Sequence, residues 1–381
     1  MKISLPHHEV VLWGIGHTNS HILRMWATDP IPDARLTCVS NAPISTYSGI
    51  LPGVLAGQYP RKRMEIDLVG LCAAANARLI LGDVTGLDLT GRELLLKDRP
   101  PLPFDVLSIG IGSVPSTDGL DAGGGDILTI KPMTTFLDRL ATRLRDISCQ
   151  VTGRPLRLAV VGGGAGGVEI ALCLAPFVSR TLGQVDLEIS LIHAGDHLAA
   201  GMNPKTNNLI ERRLTDRGVV VRLGRHVSRV NSGILTLCDG EQFESDVVVW
   251  ATGAVAPTIL SSLGLPADEK GFLLTRPTLK TIADVPIFVV GDSGSIAGST
   301  TPKAGVYAVR QGPILWQNLA CLLDGRELMS YQPQHNFLRL LNTGDGRAIG
   351  EYRSFTFEGR WCLRLKDFID GRFLDKLQVR K

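Results

Sequence analysis

The chain has 381 residues, of which 44% are hydrophobic and 20% charged, and its formal net charge at pH 7 is +3. A chain of this length is too long for a single hydrophobic core and predicts two or three domains, and its composition excludes wholesale disorder. Because 40 basic residues nearly balance 37 acidic ones, the sequence carries no electrostatic footprint for nucleic acid, and we expect no such partner.

The seven cysteines are scattered and form neither a CxxC nor a CxxxxC pair. This spacing predicts free thiols in a reducing compartment. The first residues, MKISLPHHEVVLW, begin a strand pattern almost at once and lack the regions of a signal peptide, so we expect a cytoplasmic protein. The weakly charged run 158–178 is rich in glycine, which favours strand, turn and helix over a membrane span.

The first predicted element is a strand, turn and helix over residues 9–26, with an apolar run followed by glycines and then by apolar residues at helical spacing. The turn GIGHTN is similar to a dinucleotide-binding fingerprint, with asparagine in place of its third glycine. Glycines there let a phosphate approach the helix N-terminus. The candidate cofactor-binding residues in this copy are Gly14, Gly16, His17, Asn19 and, at the end of the next strand, Ser40.

The uncharged stretch TYSGILPGVLAG, residues 46–57, follows the second strand pattern. We expect it to lie against a ligand as an inert wall, with Tyr47, Ser48 and Gly49 as binding residues. Pro52 also suits the first turn of a short helix, so an ordinary helix start is an open alternative.

The same pattern returns over residues 156–175, where GGGAGG supplies all three glycines of the fingerprint. Each copy is followed, at a similar distance, by a strand that begins with an aspartate, Asp105 or Asp246. This order predicts an internal duplication with two dinucleotide sites. Further candidate binding residues are Gly112, Gly162, Gly164, Gly167 and Gly253. His193 stands near the position of the usual ribose-binding acid, so NADH and NADPH both remain open.

A third buried strand pattern, VPIFVVGD, ends in Gly291 and Asp292. Ligands of doubly wound sheets lie beyond the carboxyl ends of strands, so we expect Asp292 to accept from the hydroxyl groups of a ligand. No metal site is predicted, because His17 and His21 have no converging Cys, Asp or Glu in the pattern.

The motifs in this order, from GIGHTN and YSGILPG through GGGAGGVE and ATG to VVGD and TPKAGVYAVRQ, resemble two-dinucleotide-domain flavoproteins related to type II NADH dehydrogenases. GIGHTNSHIL, YSGILPGVLAGQY, LNTGDGRAIG and KDFIDGRFL are similar to the pyridine nucleotide-disulfide oxidoreductase-like branch often fused ahead of selenide, water dikinase. The resemblance covers essentially the whole chain, and no kinase part is expected in it.

The resemblance implies an α/β fold with two Rossmann-like dinucleotide-binding domains, as in glutathione reductase, and a small α+β C-terminal cap. The expected FAD-binding domain is split between residues 1–130 and 270–325. The expected NAD(P)-binding domain spans 131–269, and the cap spans 326–381, where aromatic residues are frequent.

The implied activity is hydride transfer from NAD(P)H to FAD, followed by direct electron transfer to an unidentified acceptor, a quinone or a small molecule, without a redox-active disulfide. The resemblance places Glu169 near the nicotinamide, in the first turn of a helix, and Lys303, beside Ala304, near the pyrimidine edge of the flavin. A cation there would offset the negative charge of the reduced flavin. The alternatives are a helix-start carboxylate for Glu169 and a solvated loop lysine for Lys303.

The sequence departs from type II dehydrogenases at their AQxAxQ pattern, which residues 306–311 match only at the final glutamine. A small sulfur- or selenium-containing acceptor is therefore an alternative to a quinone. Cys149, Cys173 and Cys321 do not have the spacing of redox cysteines and are expected to be core thiols. A second hypothesis is a flavin-binding assembly or selenium-pathway partner with little turnover.

The tail contains Leu365, Phe368, Ile369, Phe373 and Leu377 at helical spacing, with basic residues between them. Such a helix can make a peripheral contact with the inner face of the membrane or dock on a partner, and a homodimer is compatible with it. Gly371 weakens the prediction of one continuous helix.

Overall fold

The computed structural model describes residues 6–122 and 127–378. Its eight α-helices are α1 (His17–Trp26), α2 (Leu51–Leu55), α3 (Leu68–Ala74), α4 (Met133–Ser148), α5 (Ala165–Leu182), α6 (Pro204–Asp216), α7 (Gly305–Leu323) and α8 (Arg360–Asp375) in the described residues. Short 3₁₀ turns lie at Ser48–Ile50, Arg61–Met64, Thr258–Leu263 and Gly291–Ser293.

Two five-stranded parallel sheets form the centre of the molecule. The first has the order Ile287–Val289, Val106–Ile109, His8–Trp13, Ala34–Ser40 and Arg78–Leu81. The second has the order Ile127–Thr129, Val247–Trp250, Leu156–Val161, Leu187–Ile192 and Val219–Arg222. Their inner strands are continuous apolar runs such as VVLW and VVVW, as expected of strands buried on both faces.

The two sheets correspond strand for strand, which supports the inferred duplication. Asp105 and Asp246 have the same role in each: the Asp105 carboxylate accepts from the Glu9 N–H at 2.7 Å, and the Asp246 carboxylate accepts from the Arg157 N–H at 2.8 Å. Each aspartate therefore fixes the start of its strand against the first strand of the same unit. The outer strand beside the aspartate-linked strand differs in origin between the two sheets. It is Ile287–Val289, which follows the second unit, in the first sheet, and Ile127–Thr129, which precedes the second glycine turn, in the second sheet.

An antiparallel meander covers one face of each sheet. The first meander contains Val84–Asp88, Glu93–Leu96 and Leu102–Pro103, and the second contains Val227–Asn231, Ile234–Leu237 and Gln242–Glu244, which Asp121–Ala122 joins. Leu94 packs with Val11 and Trp13 under the first sheet, and Leu235 packs with Ala159 and Val161 under the second. The helical faces of both sheets contribute to one large shared core.

Three small strand pairs complete the body: Val114–Pro115 with Ala254–Val255, Leu273–Thr275 with Gly294–Ile296, and Ile44–Thr46 with Glu65–Asp67. The C-terminal part is an antiparallel sheet of Arg339–Asn342, Ala348–Tyr352 and Phe355–Gly359 that packs with α8. The predicted fold class is confirmed. The limits of the three domains stay a prediction, and the strand Ile127–Thr129 of the second sheet lies before the limit at residue 131.

Helix α5 is long and apolar enough to cross a membrane, by length and composition alone. It begins after the second glycine-rich turn, and it packs against α4, α6 and the strands of the second sheet. Its buried residues include Val168, Ile170 and Leu174. The run 158–178 thus forms the expected strand, turn and helix.

Candidate active site

A cavity of about 550 Å³ opens beyond the carboxyl ends of the first sheet. Most of the residues expected to bind FAD line it: Gly14, Gly16, His17, Asn19, Ser40, Ser48, Gly112, Gly291 and Asp292. This volume lies within the range of roughly 300–1,000 Å³ that is usual for ligand and cofactor sites. The cavity therefore has the position and the size for a large cofactor.

The glycine turn at this cavity leaves a helix N-terminus free for an anion. Helix α1 has no side-chain cap at Gly16 and no acidic residue in its first turn, so its first N–H groups are unclaimed by side chains. Gly14 has φ +80°, and a Cβ there would lie 2.8 Å from the carbonyl oxygen of Gly110. Only glycine suits that position, as the fingerprint requires.

Asn19, which replaces the third glycine, is fully buried and ties the turn to the neighbouring strand. Its Nδ2 donates to the Gly14 carbonyl at 2.8 Å, and its Oδ1 accepts from the Ser108 hydroxyl at 2.8 Å. A Cβ on Gly110 would lie 2.7 Å from this Nδ2. In the usual fingerprint the third glycine lets the helix pack closely on the strand. Here Asn19 occupies that position, and Gly110 in the opposing loop gives it the space instead.

Lys131 is a cavity residue that the sequence analysis missed. Its Nζ donates to the carbonyl and hydroxyl oxygens of Ser113 at 2.7 and 2.9 Å, and the Ser113 hydroxyl donates to Asp292 at 3.1 Å. Burial lowers the pKa of Lys131, and the Asp292 carboxylate partly opposes this shift. Lys131 belongs to no motif, so only the folded chain brings it to Asp292.

Lys303 and Ala304 line a smaller cavity that shares Gly291 and Asp292 with the main one. The Lys303 Nζ donates to the Gly294 carbonyl at 2.6 Å and to the Ser295 hydroxyl at 3.0 Å, and it lies 3.9 Å from the Phe272 ring centroid. Burial lowers the pKa of Lys303 to about 8, against the attraction of Asp292. Lys303 is therefore a partly buried, bonded lysine and not the solvated loop lysine of the alternative reading.

Three aromatic rings pack together beside the FAD-sized cavity; His17 lines the cavity, whereas Tyr47 and Phe373 lie behind His17 and do not line it. The rings of His17 and Tyr47 are 5.2 Å apart, and the Phe373 ring of α8 lies 5.7 Å from His17 and 4.9 Å from Tyr47. Burial lowers the pKa of His17, and Asp292 opposes the shift. We call His17, Tyr47 and Phe373 the aromatic wall.

The stretch 46–57 is both a cavity-lining segment and the start of a helix, the two alternatives that the sequence left open. Ser48–Ile50 forms a 3₁₀ turn and α2 follows with Pro52 in its first turn, while Ser48 lines the cavity. A Cβ on Gly49 would lie 2.7 Å from the Tyr47 ring, so Gly49 gives space to that ring. Tyr47 is not inert, because its hydroxyl donates to the Asp370 carboxylate of α8 at 2.8 Å.

Glu169 is buried at the junction of α5 with the C-terminal cap. The helix begins at Ala165, so Glu169 lies in the second turn, and the expectation of a first-turn position is wrong. Its Oε1 accepts from the Asn342 N–H at 2.8 Å. Burial raises the pKa of Glu169 to about 7, and the Lys366 ammonium and the Asn342 N–H oppose the shift.

Lys366 and Asp370, neither of which the sequence analysis identified, connect Glu169 to the aromatic wall. The Lys366 Nζ bonds to the Asp370 carboxylate at 3.0 Å, and that carboxylate accepts from Tyr47. Burial lowers the pKa of Lys366, but Glu169 and Asp370 together raise it above its ordinary value. Tyr47, Asp370 and Lys366 are joined by hydrogen bonds, and Lys366 interacts electrostatically with Glu169; we call these four largely inaccessible side chains the acid–base chain. Positions 366 and 370 share one helix face, which was the available signal.

The second glycine turn has the tighter backbone packing. Gly162 has φ +119°, and a Cβ there would lie 2.2 Å from the Ala251 carbonyl, while a Cβ on Gly167 would lie 1.8 Å from the Gly162 carbonyl. Gly164 and Gly253, in contrast, face open space. Helix α5 has no side-chain cap and no acidic residue in its first turn, so its N-terminus can also receive a phosphate.

His193 directly follows the strand Leu187–Ile192, and its ring contacts the glycine turn. Its Nδ1 accepts from the Gly163 N–H at 3.2 Å, which requires the neutral ring in the Nε2–H tautomer. Burial lowers the pKa of His193 and favours the same neutral form. The residues of both turns fit dinucleotide diphosphates, and Lys131, Asp292 and the cavity size fit the rest of FAD.

The cysteines are free thiols in the part of the chain that the structure describes. Cys173 and Cys321 are buried, as expected of core thiols, whereas Cys149 is exposed at the end of α4 and that prediction was wrong for it. No group of three potential metal ligands occurs among the described residues.

Residues 33–312 match the family Pyridine nucleotide-disulphide oxidoreductase. The chain belongs to this family. It is 22% identical over 340 residues to the NADH dehydrogenase-like protein YutJ of Bacillus subtilis (strain 168), covering 88% of this chain and 89% of that protein. It is 28% identical over 292 residues to the demethylphylloquinone reductase NdbB of Synechocystis sp. (strain ATCC 27184 / PCC 6803 / Kazusa), covering 72% and 70%.

The fold is also that of NDH2 from Plasmodium falciparum, whose structure was solved in complex with NADH. The TM-score is 0.78, with 14% sequence identity over 97% of this chain and 98% of that one. The predicted relationship to NADH dehydrogenases is therefore confirmed. This member of the pyridine nucleotide-disulphide oxidoreductases is an enzyme, a flavoprotein oxidoreductase that uses FAD and a pyridine nucleotide.

Proposed function

We propose that this enzyme passes electrons from NAD(P)H through FAD directly to a quinone-type acceptor, without a redox-active disulfide. The observation that carries the proposal is the aromatic wall beside the FAD-sized cavity together with the acid–base chain behind it. A quinone takes up two electrons and two protons, and this end of the cavity offers an apolar surface next to groups that can move protons.

The wall contains no thiol where disulfide reductases carry a pair of cysteines. Residues 46–53 have no sulfur, and no cysteine lines the cavity in the residues that the structure describes. This supports the proposal that electrons leave the flavin by direct contact with an acceptor. FAD, when bound, supplies the chemistry that accepts a hydride from the nicotinamide and passes its electrons on.

Each charged residue at the site has a distinct proposed role. Lys131 and Asp292 bind and orient the cofactor, with Ser113 bonded to both. Glu169, whose pKa is about 7, can hold or release a proton at neutral pH. Asp370 orients the Tyr47 hydroxyl, and Lys366 keeps the charge of Asp370 balanced at a buried position.

The relatives and the surface of the cap support a quinone as acceptor. The name demethylphylloquinone reductase is that of a relative, and type II NADH:quinone oxidoreductase is the name of another, from Haemophilus influenzae. Phe355, Trp361 and Phe368 of the cap expose 70%, 53% and 63% of their surface. We infer a cytoplasmic enzyme that touches the membrane through this patch, where lipid-soluble quinones dissolve.

The visible spectrum of the purified protein tests this proposal. Anaerobic NADH or NADPH should bleach the flavin band near roughly 450 nm. A quinone should then restore the band faster than a small disulfide does. A yellow protein that neither nucleotide reduces would support a flavin-binding partner with little turnover, and faster recovery with the disulfide would overturn the direct route.

The acid–base chain is tested by Asp370→Asn, with Asp375→Asn on the exposed end of the same helix as the matched control. Reduction by NAD(P)H should proceed at the normal rate in both variants. Reoxidation by a quinone should slow by about tenfold in Asp370→Asn only, because the Tyr47 hydroxyl loses its charged acceptor. Equal reoxidation rates in the two variants would remove the chain from the mechanism.

A further inference from the structure

A second cavity, of about 540 Å³, lies between α1, α7 and the end of α8. Phe373 lines it, and the same ring packs on His17, which lines the FAD-sized cavity. Two stacked rings, Phe373 on one side and His17 on the other, therefore connect the walls of the two cavities. We call this second space the basic cavity.

The basic cavity is positively charged. Arg24, Arg310 and Lys376 line it, and no aspartate or glutamate does so among the residues that the structure describes. None of the three forms an ion pair within residues 6–122 and 127–378. Burial, Arg24 and Lys376 together lower the pKa of His21, which also lines this cavity, to about 4. Unpaired cations that converge on one space favour an anion there.

Two residues that line the basic cavity, Tyr331 and Gln334, each have a buried polar atom without a hydrogen-bond partner in the structure. The Tyr331 side chain is only 5% exposed, and its buried hydroxyl has no partner in the structure. The buried Nε2 of Gln334 has none either. Buried polar atoms without partners are costly, so each is a place where a ligand can restore a hydrogen bond.

The remaining wall is apolar. Pro313 and Ile314 of α7 and Leu377 after α8 face the same space as Phe373. A ligand with only a charged group, such as inorganic phosphate, would leave this surface uncovered. A ligand with an aromatic body and an anionic substituent would cover both parts.

We propose that the basic cavity is the electron-acceptor site and that it takes an aromatic acceptor, a quinone, that carries a negatively charged substituent. The inference rests on the proposed function, because it assumes that an acceptor is reduced near the aromatic wall. Arg24, Arg310 and Lys376 bind the anionic substituent, and the quinone ring lies against Phe373. The positive charge thus speeds the reaction of a quinone with an anionic substituent relative to a neutral one, while neutral, lipid-soluble quinones remain substrates.

The reaction balances without another reactant. NAD(P)H gives up a hydride, which carries two electrons and one proton, and water supplies a second proton. The quinone gains the two electrons and both protons, so each of its carbonyl oxygens becomes a hydroxyl, and NAD(P)⁺ is released. The anionic substituent takes no part in this exchange.

The experiment compares 1,4-naphthoquinone-2-sulfonate with neutral 2-methyl-1,4-naphthoquinone as acceptors of the NAD(P)H-reduced holoenzyme. Second-order reoxidation rate constants are measured for the wild type, Arg310→Gln and Arg24→Gln. The matched control is Arg353→Gln, an exposed arginine of the cap that lies over Tyr352, away from the basic cavity. Since the two quinones differ in potential, the decisive quantity is the change in each rate constant on mutation.

Each cavity variant should lower the rate constant for the sulfonate by about tenfold, the size expected for one lost hydrogen bond to a charged group, and change that for the neutral quinone less than about twofold. High salt should reduce the wild-type rate with the sulfonate alone. The Arg353→Gln control should match the wild type with both quinones.

Three outcomes would overturn the inference: equal effects on both quinones, no effect on either, or normal acceptor kinetics with weaker binding of the variants to vesicles that contain phosphatidylglycerol. The last outcome would assign the cations to lipid headgroups. Reduction by NAD(P)H and reoxidation by the neutral quinone are recorded in the same experiment. If either of these two reactions does not occur, the proposed function is wrong. If both occur but the variants do not discriminate between the quinones, only the inference about the anionic substituent is wrong.

Discussion

The two dinucleotide units of this enzyme have the same backbone and different side chains. Both sheets have the same strand order, both begin an inner strand with an aspartate, and both place an uncapped helix after a glycine turn. The first unit adds Lys131 and Asp292, which reach its cavity from other parts of the chain. At the second turn, Gly164 and Gly253 face open space.

One pair of equivalent positions shows how the units have diverged. Two residues after the third position of each fingerprint stand His21 in α1 and Glu169 in α5. Burial lowers the pKa of His21 to about 4 and raises that of Glu169 to about 7, so both shifts favour the neutral form. The repeated backbone leaves a free helix N-terminus in each unit, as a phosphate site requires, while the side chains at positions 21 and 169 differ between the units.

The largest expected effect is on the backbone that the units share. Gly167→Ala should lower the free energy of unfolding by about 3–4 kcal/mol, because its Cβ would lie 1.8 Å from the Gly162 carbonyl. The matched control, Gly166→Ala, faces open space in the same helix and should be neutral or slightly stabilising. Urea unfolding measures both, and equal stabilities would contradict the described packing.

The next effect concerns the side chain that distinguishes the second helix. The pKa of Glu169 is raised from 4.5 to about 7, so its protonation stabilises the folded state fully below pH 4.5, and this contribution is lost as the pH rises through 7. In the wild type the free energy of unfolding should therefore fall by roughly 3 kcal/mol between pH 4.5 and pH 8, and Glu169→Gln should abolish this fall. Unfolding free energies between pH 4.5 and 8 measure it.

The exposed Glu244→Gln is the control for Glu169→Gln and should keep the wild-type pH profile. If Glu169→Gln also kept that profile, Glu169 would be ionised with an ordinary pKa at the cap, and its place in the acid–base chain would be wrong.

A smaller effect is expected at the lysine that only the first unit has. Lys131→Met should lower the two-electron midpoint potential of the flavin by about 30 mV, equivalent to roughly 1.4 kcal/mol, because it removes a cation that favours the added negative charge. Lys270→Met, a surface change, should leave the potential unaltered. A spectroscopic redox titration decides between them, and an unchanged potential in Lys131→Met would place Lys131 away from the redox centre.

An effect of similar size is expected on nucleotide choice in the second unit. His193→Asp should shift the ratio of kcat/KM for NADH over NADPH by about tenfold toward NADH, because a carboxylate accepts from the ribose 2′-OH and repels a 2′-phosphate. Steady-state kinetics with both nucleotides measure the ratio. A shift toward NADPH would mean that the ribose does not lie beside position 193.

The sequence predicted the parts of this site that depend on local backbone. The glycine turns and Asp292 could be found because strand, glycine and helix follow one another within each motif. The acid–base chain could not, because Tyr47 and Asp370 are far apart in sequence and meet only when α8 packs on the first unit. Lys131 was missed for the same reason.

The tail shows a further limit of pattern reading. Its apolar residues were expected to form one face, yet Phe373 and Leu377 line the basic cavity while Phe368 is 63% exposed. α8 also continues through Gly371, because tertiary contacts outweigh the low helix propensity of one glycine. The periodicity predicted the helix, but it did not predict which of its apolar side chains line a cavity and which are exposed.

The exchange of edge strands has a consequence for how the protein is made. Ile287–Val289 completes the first sheet, but the ribosome makes it only after the whole second unit. Until then Val106–Ile109 presents an unpaired edge, which in the finished protein is covered. The nascent chain therefore carries an unpaired strand edge from the synthesis of residue 109 until that of residue 287, and the N-terminal part of the enzyme alone would lack one strand of its sheet.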